Sequence, residues 1–277
     1  MIDVDGVLVL AGRPIPGAVE ALAELDRRRI PWRVLTNTSS AARPVLADRL
    51  ARLGLGVPPG RLITSLSAAA AYTAARFPGE PLFVIAAPSA LPEFKGQHLV
   101  SGVEADEPGA RVGAVVIGDG GDDLSYRNLD RAFRLVRGGA ALLAMHRGSW
   151  WLTERGPALD VGAFVVGLEF ATGRRATTLG KPSPLVFRRA AAELIGELDR
   201  TDPRGAGRRA AVAMVGDDVQ ADIVAARRAG LRGIFVLSGK DGPAELAAAE
   251  LAAAERGRGP VADAVATSLR AVVGALG

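Results

Sequence analysis

Short apolar runs alternate with amphipathic stretches along nearly the whole chain. This alternation is typical of helices packed against a mainly parallel β-sheet, so the pattern predicts an α/β fold. The runs that we interpret as strands are Trp32–Leu35, Leu82–Ile85, Val115–Ile117, Leu142–Ala144, Ala211–Val215 and Gly233–Val236.

Helices are predicted where apolar residues recur every three or four positions, because such residues share one helix face. The predicted helices contain Ile15, Val19, Leu22 and Leu25; Leu46, Leu50 and Leu53; the alanine-rich segment 65–76; Tyr126, Leu129, Phe133 and Val136; Val186, Ala190 and Leu194; the segments 220–229 and 244–255; and finally Val265, Leu269 and Val272.

Proline and glycine divide these elements into three parts. Pro78 and Gly79 interrupt the pattern near residue 80, and a second break is placed near residue 176. A chain of 277 residues is long enough for two domains of ordinary size. We therefore expect residues 1–80 and 176–277 to form one domain, and residues 81–175 to form a second domain inserted into it.

Composition excludes several classes of protein. The chain has no cysteine, which excludes disulfides, thiolate metal sites and a cysteine nucleophile. Its formal net charge of +4 comes from arginines interleaved with acidic and apolar residues, so we expect no nucleic-acid partner. No uninterrupted apolar run approaches the roughly 18 residues of a membrane span, so we expect no membrane association.

The first residues of the chain carry acid where a signal peptide has a basic region, which favours a cytoplasmic location. Only Met1 and Ile2 precede Asp3, whereas an interior parallel strand usually has about five or six residues. We therefore expect either a shortened first strand or a natural start upstream of Met1. The sequence leaves the oligomeric state open, with a homodimer as one option.

Four polar clusters directly follow apolar runs, at positions where the strands of an open α/β sheet would end and where ligand sites collect. Any single cluster can be structural, since aspartate and threonine are common at helix starts. All four in order favour one shared site. The clusters are Asp3-Val4-Asp5-Gly6, Thr36-Asn37-Thr38, Gly180-Lys181-Pro182, and Gly216-Asp217-Asp218 with Asp222.

Aspartates that emerge from apolar strands cost free energy unless a positive charge neutralises them. Because the chain has no cysteine and only two histidines, the sequence predicts a hard, oxygen-binding cation such as Mg²⁺. Such a cation favours a phosphorylated substrate. One carboxylate can attack phosphorus to give an aspartyl phosphate, while a second protonates the leaving oxygen and later deprotonates water.

The remaining polar residues suit the other tasks of phosphoryl transfer. Thr36 and the backbone amide of Asn37 can donate to phosphate, and Lys181 can offset negative charge. Asp217 would complete the metal site. Asp218 and Asp222 are expected just behind the metal ligands, with Asp222 close enough to orient a bound water.

These clusters resemble the motifs of the haloacid dehalogenase superfamily of phosphohydrolases: DxDG, then Ser or Thr, then Lys, then GD with a further Asp. They look like the subfamily with a large α/β cap between the second and third motifs. The resemblance implies a Rossmann-like, doubly wound parallel-sheet core with an inserted α/β cap. Segments 91–96, 128–134, 167–173 and 230–240 are similar to the branch that contains phospholysine phosphohistidine inorganic pyrophosphate phosphatase.

The resemblance also implies roles for individual residues. Asp3 would be the nucleophile, and Asp5 would be the general acid/base and a metal ligand through its backbone carbonyl. Thr36 and Lys181 would bind phosphate. The side chains of Asp3 and Asp217 would bind Mg²⁺.

The predicted function is hydrolysis of a small phosphomonoester, phosphoramidate or pyrophosphate by a Mg²⁺-dependent phosphatase. Substrate choice should come from the inserted domain, whose loop after Ala144 offers a titratable ring, a cation and an aromatic face in His146, Arg147 and Trp150. Each of these three could instead serve only packing or solvation. The alternatives are a receiver that stores phosphate on aspartate, disfavoured by the size of the insertion, and a catalytically silent metabolite-binding protein, disfavoured by the complete motifs.

Overall fold

The structure is a computed structural model that describes residues 1–153, 155–201 and 212–276. The strands are β1 (Val9–Leu10), β2 (Arg13–Pro14), β3 (Val34–Thr36), β4 (Leu62–Thr64), β5 (Leu82–Ile85), β6 (Ala114–Ile117), β7 (Ala141–Ala144), β8 (Trp150–Thr153), β9 (Gly156–Leu159), β10 (Thr177–Thr178), β11 (Ala213–Gly216), β12 (Arg232–Val236) and β13 (Ala264–Ala266). The helices are α1 (Ala18–Arg27), α2 (Arg43–Arg52), α3 (Ser65–Arg76), α4 (Gly102–Asp106), α5 (Tyr126–Arg137), α6 (Gly162–Thr172), α7 (Pro184–Thr201), α8 (Ala225–Arg228), α9 (Pro243–Ala254) and α10 (Leu269–Gly274), with a π-helical segment at Val219–Val224. No helix in the described ranges is long and apolar enough to cross a membrane.

The chain divides into two compact units, each built from separate segments. The first unit contains Met1–Thr36, Ala47–Ile63 and Lys181–Gly277, and the second contains Asn37–Leu46 and Thr64–Gly180. This division differs from the expected boundaries near residues 80 and 176. The difference arises because α3 packs its buried apolar residues into one cluster with β5 and β6, and therefore groups with the second unit.

The first residues of the chain join two groups of strands in the first unit. β11, β12 and β13 pair in parallel, and β3 lies beside β4. Ile2 forms parallel bridges to both β3 and β11. Its N–H donates to the carbonyl of Arg33 at 2.9 Å, and the N–H of Asp3 donates to the carbonyl of Val215 at 3.0 Å. In the part of the chain that the structure describes, the first strand is a single bridging position.

Helix α1 presents a different face to the core than the spacing predicts. Its buried residues include Ala18, Leu22 and Leu25, whereas Val19 is 40% exposed, so the assignment of Val19 to the apolar face is wrong. The helix begins only after Gly17, whose φ of +83° lies in the left-handed region. Ile15 therefore precedes the helix, so its four-residue spacing to Val19 does not place the two residues on one helix face.

The end of the chain contains a strand that the sequence analysis missed. Val265 was predicted in the last helix, but it lies in β13 and pairs with Phe235 of β12. The helix starts later because the Ser268 hydroxyl accepts the N–H of Ala271 and caps α10. A β-branched valine also suits a strand better than a helix.

The second unit is a parallel sheet with helices on both faces. Its strand order is β10, β7, β6, β5. Alternate residues of each strand contribute to opposite clusters: Val115 and Ile117 pack with α5 and α6, whereas Ala114 and Val116 pack with α3. Both faces are thereby covered, which is the doubly wound arrangement typical of α/β folds.

Two details of the second unit correct the predictions. Tyr126, placed on the apolar face of α5, is 87% exposed, while Ala132, Leu135 and Val136 are buried. Trp150, placed in a loop, lies in β8, which pairs antiparallel with β9. Tryptophan is favoured in strands, and this short hairpin carries too few residues for alternation to reveal it.

Candidate active site

Three predicted site residues lie at one edge of the sheet of the first unit. Asp3 directly follows the bridging Ile2, Thr36 ends β3, and Asp217 directly follows β11. All three side chains are buried. Each of them lies at the carboxyl end of a strand or bridge in a parallel arrangement, and open α/β sheets bind their ligands at that edge.

Lys181 links two buried carboxylates. Its Nζ atom lies 2.7 Å from Oδ1 of Asp3 and 2.7 Å from Oδ1 of Asp222. Burial alone would lower the pKa of Lys181, but the carboxylates of Asp222 and Asp3 raise it above its ordinary value. The side chain is therefore a charged ammonium held between two acids.

A third carboxylate joins this pair. Asp3, Asp217 and Asp222 each offer an oxygen within 4.8 Å of the others. Burial raises the pKa of all three carboxyls, and repulsion within the group adds to that rise. With all three ionised, the single ammonium of Lys181 leaves two negative charges, which one divalent cation would balance.

Three glycines allow the backbone to approach these carboxylates closely. A Cβ atom on Gly6 would lie 1.9 Å from Oδ2 of Asp217, and one on Gly239 would lie 2.0 Å from the same oxygen. A Cβ on Gly216 would lie 2.3 Å from Oδ2 of Asp222. The donor set is all oxygen and closely enclosed, so the residues present fit a small hard cation such as Mg²⁺.

Asp3 and Asp5 lie in different environments although only one residue separates them. Asp3 is buried, whereas Asp5 is exposed. Gly6, with a φ of +77°, turns the chain, and its N–H donates to the carbonyl of Val9 at 2.7 Å. Such a turn lets two neighbouring carboxyls serve different purposes.

The predicted phosphate-binding residue Asn37 is counted with the second unit, although Thr36 ends a strand of the first. The backbone carbonyl of Asn37 accepts a hydrogen bond from the Ser65 hydroxyl at 2.8 Å. This bond ties the residues after Thr36 to the start of α3.

The two residues expected behind the metal ligands differ from each other. Asp222 belongs to the buried carboxylate group. Asp218 instead accepts the N–H groups of Gln220 and Ala221 at 3.0 and 2.7 Å, and the ammonium of Lys240 lies 3.0 Å from its Oδ2. Burial acts to raise the pKa of Asp218, but the N–H of Ala221 and the Lys240 ammonium lower it overall.

The sequence analysis assigned no role to the loop after β12, although it lies against the site. The Ser238 hydroxyl donates to the carbonyl of Gly6 at 2.7 Å, and the backbone N–H of Lys240 donates to Oδ2 of Asp217 at 2.6 Å. One signal was present in the sequence: Lys240 is one of only three lysines in an arginine-rich chain.

Among the candidates from the second unit, His146 is buried. Its Nε2 lies 3.2 Å from the Ser39 hydroxyl, and its Nδ1 lies 3.7 Å from a carboxylate oxygen of Asp160. Ser39 also accepts the N–H of Asp119 at 2.9 Å. His146 therefore lies within a buried polar network of this unit.

Arg147 and Trp150 are placed differently. Arg147 donates two hydrogen bonds to the carboxylate of Glu169, at 2.6 and 2.9 Å, and is thus not a purely solvated cation. The ring of Trp150 is half-exposed. Of these three candidates, Trp150 offers the largest apolar surface to a ligand.

Comparison with known families gives two matches. The family described as haloacid dehalogenase-like hydrolase matches residues 1–99, and a second, described as HAD-hydrolase-like, matches residues 178–268. Haloacid dehalogenase-like hydrolase domain-containing protein 2 of Bos taurus is 34% identical over 240 residues, covering 87% of this chain and 84% of that protein. Human phospholysine phosphohistidine inorganic pyrophosphate phosphatase is 30% identical over 251 residues, covering 88% of this chain and 84% of that protein.

Solved structures agree with these matches. A p-nitrophenyl phosphatase from Archaeoglobus fulgidus has a TM-score of 0.83 at 25% identity, covering 100% of this chain and 98% of that one. A glycerol phosphate phosphatase from Mycobacterium tuberculosis, in complex with magnesium, has a TM-score of 0.80 at 28% identity, covering 98% of this chain and 75% of that one.

Proposed function

The chain belongs to the haloacid dehalogenase-like hydrolases and is a phosphatase of that family, and from this premise we propose a Mg²⁺-dependent reaction that passes through an aspartyl phosphate on Asp3. One observation carries the proposal: Lys181 bridges two members of a buried group of three carboxylates. Such a group needs a divalent cation for charge balance and can supply a carboxylate nucleophile.

The metal ligands that we assign are the side chains of Asp3 and Asp217 and the backbone carbonyl of Asp5. Bound Mg²⁺ supplies charge neutralisation and polarises the phosphoryl oxygens. Lys181 holds Oδ1 of Asp3, and the N–H of Lys240 holds Oδ2 of Asp217. The other oxygen of each carboxylate would then be left to bind the ion or, at Asp3, to attack phosphorus.

In the first chemical step, an oxygen of Asp3 forms a bond to phosphorus while the bond from phosphorus to the leaving atom breaks. The leaving atom is oxygen in an ester or pyrophosphate and nitrogen in a phosphoramidate, and the carboxylic acid of Asp5 gives its proton to that atom. In the second step, the Asp5 carboxylate takes a proton from water as the water attacks phosphorus. The bond from phosphorus to Asp3 then breaks, releasing phosphate and restoring both groups. The exposed position of Asp5 suits a residue that exchanges protons with product and water.

Phosphate binding is assigned to Thr36, the backbone amide of Asn37, and Lys181. Their hydrogen-bond donors would contact the oxygens whose charge is redistributed during transfer. Lys181 has a second task, because burial raises the pKa of Asp3 and the ammonium of Lys181 acts against that rise, which favours the ionised, nucleophilic carboxylate.

The substrate that we propose is a small phosphomonoester, phosphoramidate or pyrophosphate. We assign its recognition to the second unit, with Trp150 as the residue most available for contact. Arg147 is already engaged by Glu169, and His146 is buried, so both are expected to stabilise the second unit more than to bind substrate directly.

Turnover tests the proposal. Purified protein with Mg²⁺ should release phosphate from p-nitrophenyl phosphate over many cycles, and a panel of esters, phosphoramidates and pyrophosphate should identify the preferred class. A receiver would instead take up about one phosphoryl group per chain and stop. A silent binding protein would release no phosphate, and either result would refute the phosphatase reaction.

A further inference from the structure

The loop Ser238-Gly239-Lys240, which we call the SGK loop, contacts both acidic parts of the site in the first unit. It follows β12 and lies against Gly6 on one side and Asp217 on the other. None of its side chains takes part in the proposed chemical steps. Its contacts instead affect where the metal ligands lie.

Gly239 permits the closest of these approaches. A Cβ atom at this position would lie 2.0 Å from Oδ2, 2.5 Å from Cγ and 2.6 Å from Cβ of Asp217. Real Cβ atoms do not come so near, so any side chain here would displace the Asp217 carboxylate or the loop. The glycine is required for the close approach of the backbone rather than for its conformation, since its φ lies outside the left-handed region.

The backbone that follows Gly239 fixes Asp217. The N–H of Lys240 donates to Oδ2 of Asp217 at 2.6 Å, and the N–H of Asp241 donates to the backbone carbonyl of Asp217 at 3.2 Å. Asp241 also accepts the N–H of Val219 at 2.8 Å. Hydrogen bonds from the SGK loop and from the next residue, Asp241, therefore fix both the side chain and the backbone of Asp217.

Side chains at both ends of the SGK loop extend this support. The Ser238 hydroxyl donates to the carbonyl of Gly6, which belongs to the turn that follows Asp3 and Asp5. The ammonium of Lys240 pairs with Asp218, whose other oxygen caps the π-helical segment. The loop thus contacts both the turn that follows Asp3 and Asp5 and the segment that carries Asp217 and Asp218.

We propose that the SGK loop is a positioning element that presents Asp217 to Mg²⁺ and thereby sets the affinity of the site for the metal. This inference rests on the proposed function, because it assumes that Asp217 is a metal ligand. Hydrogen-bond partners that orient metal ligands typically change metal affinity about 10–100-fold when they are removed. Gly239, Ser238 and Lys240 would act through Asp217 and Gly6, without touching substrate.

Isothermal titration calorimetry with Mg²⁺ alone tests the inference on the intact chain. Gly239→Ala should weaken Mg²⁺ binding about 10–100-fold. Gly56→Ala is the matched control, because a Cβ there meets nothing within 4 Å and its φ is not left-handed. Melting temperatures in EDTA separate positioning from folding, since the positioning role predicts a similar melting temperature for both variants. The kcat of Gly239→Ala should recover at saturating Mg²⁺.

Ser238→Ala provides a test that does not depend on the folding of Gly239→Ala. It removes one hydrogen bond and should weaken Mg²⁺ binding several-fold, about the effect of a single hydrogen bond. Lys240→Met should have a smaller effect than Gly239→Ala because the backbone N–H remains, and Lys240→Arg should retain the contact with Asp218. Lys95→Met, at an exposed lysine, should bind like the wild type.

The outcomes distinguish the two proposals. If the wild type binds Mg²⁺, and Gly239→Ala and Ser238→Ala both bind it with the same affinity as the wild type, the positioning role is wrong. The phosphatase mechanism would be unaffected by that result. Absence of Mg²⁺ binding in the wild type would overturn the metal site and the positioning role together.

Discussion

Lys181 and Asp222 are both buried, and the ammonium of one lies 2.7 Å from a carboxylate oxygen of the other. Asp222 has no exposed side-chain surface, so water cannot replace its partner. A buried charge that loses its partner is strongly destabilising. Lys181 therefore contributes to the fold as well as to the proposed chemistry, and its replacement should affect both.

Lys181→Ala should lower the free energy of unfolding by about 3–5 kcal/mol in EDTA, the usual cost of breaking a buried ion pair. Phosphatase activity should also fall sharply, because the charge that offsets substrate and carboxylates is removed. Urea denaturation and steady-state kinetics measure the two effects. Lys181→Arg should recover activity poorly, since a planar guanidinium cannot replace a compact ammonium between two carboxylates.

Lys95→Ala is the control for Lys181→Ala, because Lys95 is an exposed lysine of the same chain. It should leave both stability and activity within experimental error of the wild type. Full activity in Lys181→Ala would contradict the assigned role of this residue.

Asp3→Asn should lower the turnover rate about a thousandfold or more, because the amide is not a nucleophile and binds Mg²⁺ poorly. The fold should persist, since asparagine has nearly the same shape. Phosphate release and circular dichroism measure activity and fold. Asp48→Asn, at an exposed aspartate of the same unit, is the control. Appreciable turnover by Asp3→Asn would exclude an aspartyl phosphate at this residue.

Removal of divalent metal should abolish phosphatase activity, and added Mg²⁺ should restore that activity. Mg²⁺ should also stabilise the fold, because it binds the folded carboxylate group and not the unfolded chain. At a concentration about 100 times the Kd, the gain in unfolding free energy should be about 2.7 kcal/mol. Thermal melting across a Mg²⁺ titration measures it. Equal activity and melting temperature in EDTA and in Mg²⁺ would refute the metal site.

The Arg147–Glu169 pair of the second unit should make stability depend on pH. Hydrogen bonds from Arg147 lower the pKa of Glu169 below its ordinary value of 4.5. A carboxyl whose pKa is lowered by folding stabilises the fold fully above its unfolded pKa, and that contribution is lost as the pH falls through the folded value.

Glu169→Gln should therefore reduce the free energy of unfolding by about 1–3 kcal/mol at pH 7. The difference from the wild type should shrink as the pH falls below about 4.5. Urea denaturation at several pH values measures this trend, with Glu107→Gln, at an exposed glutamate of the same unit, as the control. A difference that stays constant down to acid pH would show that the charge of Glu169 contributes nothing.

The main features of the fold could be predicted because periodicity and burial agree in the central elements. β5 was predicted at its observed bounds, and α3 begins and ends where the alanine-rich segment was placed. Val265 and Val19 were misplaced because a cap at Ser268 and a turn at Gly17, rather than periodicity, determine where their helices begin.

The candidate site was predictable only in part, for a similar reason. Asp3, Lys181 and Asp217 could be named because charged residues at the ends of apolar runs are unusual and costly, and Asp222 because it follows Asp217 within the same cluster. The role of Gly239 could not be foreseen, because a close backbone approach leaves no periodic or charge pattern. Likewise, spacing cannot show that Asp218 caps a helical segment while Asp222 is buried beside Lys181.

The bridge that Ile2 makes between β3 and β11 has a consequence during protein synthesis. Val215, one of its two neighbours, is translated more than two hundred residues later, which at ribosomal speeds is a delay of roughly 10–40 s. Until Val215 is made, Ile2 can pair with β3 alone, and an unpaired strand edge favours aggregation. A chain that ends before β11 therefore lacks one of the two partners of Ile2, and we expect it not to complete this sheet.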